Sequence, residues 1–96
     1  MEQIDRLVHE PVRLRALTLL AGVKEAEFSF LLRVLGLTNG NLSVHMRKLE
    51  GAGYVTVTKE FAGRLPRTSY ALTATGRQAL TQYWGTMERL RKQAHP

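Results

Sequence analysis

Leu37-Thr38-Asn39-Gly40-Asn41-Leu42-Ser43-Val44-His45-Met46-Arg47-Lys48-Leu49-Glu50 reads as a short helix with two unlike faces. Leu42, Met46 and Leu49 follow the i, i+4, i+7 spacing that the helical period stacks on one side, toward a core. Asn39, Asn41, Ser43, Arg47 and Lys48 fall mostly on the other side, where neither helix closure nor core filling calls for them. Thr38 is placed as the N-cap, its hydroxyl accepting the backbone N–H of Asn41, one of the donors a helix start leaves without a partner. Gly36 before the run and Gly51 after it bound the element to about twelve residues, or about 18 Å.

Upstream, Ser29 is the cap candidate for a second short helix, Phe30 to Leu35, with Leu31, Leu32 and Leu35 available for packing and Gly36 as its stop. Phe28 anchors its start, and Phe30 is expected to be exposed. Phe28 through Glu50 is then helix, glycine-containing turn, helix: a helix-turn-helix with the second helix presented outward. In that arrangement the N-terminal residues of the second helix meet base edges in a major groove. Asn39 and Asn41 suit adenine, Gly40 allows close backbone approach, and Ser43 suits a base or a phosphate. Val44 suits a thymine methyl, Arg47 guanine or the backbone, and Lys48 phosphate. The competing reading of each is a solvated helix face.

Before this unit, Ile4, Leu7 and Val8 give Met1 to His9 the pattern of a short amphipathic segment or arm. Pro11 suits a first helical position, and Val12 to Ala21 follows as a helix that Gly22 ends. Its stripe of Leu14, Leu17 and Ala21 is widened by Val12, Ala16, Leu19 and Leu20. Such a helix is either central to one core or packed partly against a second subunit. Val23 to Glu27 reads as a connection.

After Gly51-Ala52-Gly53 the period changes. Tyr54 to Phe61 alternates Val55, Val57 and Phe61 with Thr56, Thr58 and Glu60, a strand half buried on one face. A second strand is expected at Arg67 to Leu72, with Thr68, Tyr70 and Leu72 on one side. Ala62 to Pro66 is the loop, giving a hairpin with a basic end at Arg64 and Arg67, extended by Lys59. Thr73 caps a long final helix from about Ala74 to Gln93. Leu80, Tyr83, Trp84, Met87 and Leu90 step along one side of it, and at about 30 Å it outruns the core a chain this size can build.

The 96 residues suffice for one domain of modest stability. A hydrophobic content of 44% argues against disorder, and 14 Lys and Arg against 8 Asp and Glu, formal charge +6, favour a polyanionic partner. The absence of cysteine excludes disulfides, thiolate metal sites and a cysteine nucleophile, and suits a reducing interior. No apolar run approaches about 18 residues and no signal-peptide pattern is present, so a cytoplasmic protein without membrane contact is expected. His9, His45 and His95 are scattered, without metal-ligand spacing. His45 suits packing at the core edge with a ring hydrogen bond, and DNA contact is its second reading. Gly51-Ala52-Gly53 follows a helix instead of preceding one, so it is no phosphate loop. No catalytic residue, metal or cofactor is expected, and the chain does not read as an enzyme.

The segments Leu35 to Glu50, Gly51-Ala52-Gly53-Tyr54-Val55, Gly63-Arg64-Leu65-Pro66-Arg67-Thr68 and Leu72-Thr73-Ala74-Thr75-Gly76-Arg77 together resemble the small winged-helix transcriptional regulators of the MarR and ArsR type. The resemblance implies an α+β winged helix-turn-helix over residues 1–96, with a two-stranded β wing and a long C-terminal helix. It implies a recognition helix at about 38–50 in the major groove and a basic wing at about 59–68 on the backbone or in the minor groove. A homodimer on a pseudo-palindromic DNA operator follows, joined by the terminal helices (about 1–21 and 74–94), with Leu80, Tyr83, Trp84, Met87 and Leu90 at the contact. The cysteine and histidine clusters of metal-sensing relatives are missing, and the short chain leaves little room for an effector pocket. Repression is the expected mode; the alternative is a winged helix that docks another protein and has no specific DNA binding.

Overall fold

The computed structural model describes residues 3–94, so His95 lies outside the described residues. Helix α1 is Pro11–Ala21, strand β1 Ala26–Glu27, helix α2 Phe28–Leu35 and helix α3 Asn39–Gly51. Strands β2, Val55–Ala62, and β3, Leu65–Leu72, follow, and helix α4, Ala74–Ala94, ends the chain. The architecture is the α+β winged helix-turn-helix expected from the sequence.

Local chemistry explains most boundaries. Pro11, without an N–H to leave unpaired, opens α1, and the Glu10 side chain accepts the Arg13 N–H at 2.7 Å as its cap. Among the described residues the N-terminal helix therefore begins at Pro11: the Asp5 carboxylate accepts the N–H groups of Leu7 and Val8, turning the chain before the helix starts. Gly36 ends α2 in the left-handed region, at φ 67°, and Thr38 caps α3. Ser29 is not a cap. Helix α2 starts two residues before the expected Phe30, at Phe28 and directly from β1, with Glu27 at the cap position but no capping bond from its side chain to the helix backbone.

The two-stranded wing of β2 and β3 is present, and β1 adds a third strand at the β3 edge, so among the described residues the sheet runs β1-β3-β2, antiparallel throughout. β1 pairs Ala26 with Tyr70 and Glu27 with Ser69, inside the segment expected to be a connection; two residues are too few to show a period. β2 and β3 pair from Val55 with Leu72 to Ala62 with Leu65, so the loop is only Gly63-Arg64 and β3 begins two residues before the expected Arg67. A positive φ at Gly63 and none at Arg64 is the pattern of a hairpin turn with glycine first, which matches the strand twist.

The core joins Val8, Ala16, Leu17, Leu20, Leu31, Leu42, Met46 and Leu49 with Val55 and Tyr70 of the sheet and with Ala79, Leu80 and Tyr83 of α4. Phe61 departs from its expected place on the half-buried face: it is 74% exposed, because the hairpin runs on beyond the helices that cover Val55. The α4 stripe divides in the same way. Leu80 and Tyr83 are buried in the chain's own core and Met87 is half-buried, while Trp84 is 48% exposed and Leu90 is also exposed.

Candidate nucleic-acid interface

The turn at Gly36 sets α3 so that Leu42, Met46 and Leu49 face inward and its opposite side meets solvent. Asn39, Gly40, Asn41, Val44, Arg47 and Lys48 are exposed, and Ser43 is half-buried. Thr38 is itself engaged: its Oγ1 accepts the Asn41 N–H at 3.3 Å, so its first task is to hold the helix start. Among the described residues, no hydrogen bond or ion pair engages the side chains of Asn39, Asn41, Arg47, Lys48, Lys59 or Arg64.

Helix and hairpin meet in one place. Ser43, Arg47 and Glu50 of α3 line an open depression of about 250 Å³ together with Val57, Lys59 and Tyr70 of the sheet. Tyr70 shows the character of this seam: burial pushes its phenol pKa up, the Glu50 carboxylate adds to that, and the Arg47 guanidinium opposes it. The cations of Arg47 and Lys59 thus stand on one side of the molecule.

Arg67 is set apart from them. It pairs with Glu60 of β2 at 2.7 Å and with Glu27 of β1 at 3.3 Å, a strut across all three strands. The Glu60 hydrogen bonds and both carboxylates raise its guanidinium pKa further. In the register Lys59 lies opposite Thr68 and Glu60 opposite Arg67, so Lys59 and Arg67 project from opposite faces of the sheet. The basic strip expected from Lys59, Arg64 and Arg67 is therefore split. Arg64 remains exposed at the turn.

Behind α3 lies a polar support that apolar periodicity does not reveal. Arg13 is 8% exposed, donates from Nε to the Leu7 carbonyl at 2.6 Å and from Nη1 to His45 Nδ1 at 3.0 Å, and so ties the N-terminal segment to α3. Glu10 Oε1 stands 3.8 Å from the same His45 nitrogen. This is the core-edge role read for His45. A signal for Arg13 exists in the sequence, since it shares the i, i+3, i+4, i+7 stripe of Ala16, Leu17 and Leu20. The Asp5 carboxylate also accepts a 2.5 Å hydrogen bond from Tyr54, chiefly through which the Tyr54 phenol pKa is pushed up to about 12.

Among the described residues no group of three His, Cys, Asp or Glu side chains is placed to hold a metal ion, and no helix is long and apolar enough to cross a membrane. A Cβ on Gly85, in α4, would meet the Arg89 guanidinium first, at 3.3 Å.

Known proteins share this geometry. An uncharacterised protein of Methanocaldococcus jannaschii is 36% identical over 78 residues, covering 81% of this chain and 85% of the relative. The solved structure of a transcriptional regulator homologue from Pyrococcus horikoshii superposes with a TM-score of 0.87 at 32% identity, over 96% of this chain and 91% of that one. The transcriptional repressor CouR, solved bound to a 23-mer DNA duplex, shares the fold at a TM-score of 0.67 and 24% identity, over 83% of this chain and 58% of that one. Regulators of the MarR and ArsR families share it too. A family model described as a winged helix DNA-binding domain matches residues 12–91, and the chain belongs to that family.

Proposed function

We propose that the protein is a sequence-specific regulator of transcription that places α3 in the major groove of duplex DNA. The observation that carries this reading is the unengaged polar face of α3, where Asn39, Asn41, Arg47 and Lys48 are exposed and Arg47 shares a depression with Lys59. Asn39 and Asn41, at the helix N-terminus, read bases. Ser43 and Val44 add a polar and a methyl contact, Gly40 lets the backbone approach, and Arg47 and Lys48 hold base edge and phosphate. Lys59 and Arg64 follow the backbone. Arg67 acts through the wing's rigidity.

A second copy completes the regulator. Buried positions in α4 stop at Thr86, so the remaining turns project from the body with Trp84 and Leu90 exposed and Met87 half-covered. An apolar groove of about 450 Å³, lined by His9, Pro11, Leu14 and Tyr83 among others, runs along α1 where it meets α4 at Tyr83. A homodimer through these terminal helices sets two α3 helices about 34 Å apart on a pseudo-palindromic operator. A small domain so bound represses by occluding a promoter, in the cytoplasm where the DNA lies. The test is a fluorescence-anisotropy titration of duplex DNA across salt concentrations. A linear fall of log affinity with log salt, with a preferred sequence bound more tightly than random duplex, supports the reading; negligible affinity at about 50 mM salt overturns it.

A further inference from the structure

The end of the wing is not the plain charged turn that its arginines suggest. Phe61 and Leu65 are the most exposed large apolar side chains among the described residues, at 74% and 72%. The register separates them: Phe61 opposes Pro66 and Ala62 opposes Leu65, so the two lie on opposite faces of the ribbon. Phe61 continues the series Val55, Val57, Lys59, which is the face turned toward α3; Val57 and Lys59 line the depression they share with Ser43 and Arg47. The ring thus stands on the side where α3 presents Ser43 and Arg47.

A lone exposed phenylalanine is ordinary on a protein surface. This one is on an edge strand, where exposed apolar side chains invite association of sheets, and nothing among the described residues covers it. Its surroundings favour a polyanion. Lys59 precedes it by two residues and Arg64 follows by three, neither with an ion-pair partner among the described residues. The nearest acid in sequence, Glu60, projects from the other face and is held by Arg67 at 2.7 Å. An apolar ring flanked by free cations on a narrow ribbon end has the chemistry of the wedges that enter a minor groove and separate stacked base pairs.

We propose that Phe61 is such a wedge: in the DNA-bound protein its ring enters the minor groove beside the α3 contact, unstacks a base step and bends the duplex. The inference rests on the DNA-binding reading. It makes flexible pyrimidine–purine steps the preferred sequence under the wing, a specificity set by deformability without a base hydrogen bond.

The experiment uses the whole chain and a preferred duplex selected from a random library, with a fluorescent adenine analogue placed in turn at each step of the flanks. The parent protein brightens the analogue at one step in each flank, one for each wing of the dimer. Phe61→Ser, at an exposed position, keeps the parent's melting temperature, loses that signal and binds about ten-fold more weakly, the size of one lost aromatic–base contact. Leu65→Ser, on the other face, leaves signal and affinity unchanged. Equal binding and equal brightening by parent and Phe61→Ser overturn the wedge while leaving the DNA-binding reading intact, as does loss of both in Leu65→Ser alone. A parent protein that binds no duplex at low salt overturns both. Unchanged DNA binding with a shift in sedimentation for Phe61→Ser assigns the ring to a contact between copies and also overturns the wedge.

Discussion

Arg13 of α1 and His45 of α3 meet at 3.0 Å, a charged donor on a ring nitrogen at the inner edge of α3. The guanidinium also holds the Leu7 carbonyl, so one buried side chain fixes the N-terminal segment, α1 and α3 together. Arg13→Ala removes the donor from the Leu7 and Arg6 carbonyls and from His45 Nδ1, and leaves a gap along its buried stem. The expected loss is about 2–3 kcal/mol in denaturant unfolding. Arg13→Lys, which cannot reproduce the fork, is expected to fall between.

At the start of α4 a glycine is required for space. A Cβ on Gly76 would lie 2.1 Å from the Tyr54 carbonyl oxygen, which already accepts the Thr73 N–H. Gly76→Ala gains about 1 kcal/mol of helix propensity but forces α4 away from the strand start, and a net destabilisation of about 2 kcal/mol is expected in thermal unfolding. Gly51→Ala is the contrast. Its Cβ would enter open space at an ordinary φ, so that change is expected to stabilise by about 0.5 kcal/mol.

The two wing arginines are expected to behave differently in DNA titrations. Arg64 is exposed without an ion-pair partner among the described residues, and Arg64→Ala is expected to weaken all duplexes alike and reduce the salt slope by about one. Arg67 is held by Glu60 and Glu27 on the face away from Lys59. Arg67→Ala is expected to leave the salt slope nearly unchanged.

Sedimentation examines the second copy. With Leu80 and Tyr83 inside the chain's own core, the projecting turns of α4 rely on Trp84 and Leu90. Trp84→Glu is expected to shift the protein toward monomer without lowering its helix content, whereas Leu80→Glu is expected to unfold it.

Residues on regular periods are the legible ones. Leu42, Met46 and Leu49 give α3 its inward face and hence its outward one, and Thr38 and Thr73 show as caps because each hydroxyl stands just before a stretch of helical period. What stays hidden depends on tertiary context. β1 is two residues long and exists only because β3 offers it an edge, Phe61 follows the strand period past the point where the core ends, and Arg67 is set by carboxylates on two other strands. Gly76 is visible within a motif, but its reason, the nearness of the Tyr54 carbonyl, requires the fold.

The central claim is that the exposed amides of α3 read base edges. The most direct measurement compares Asn41→Ala with the parent protein on the selected duplex and on a scrambled one of equal length and composition. The account predicts about a ten-fold or larger loss on the selected duplex and little change on the scrambled one, the cost of one base-pair contact. Equal losses on both duplexes, or no loss on either, would contradict it.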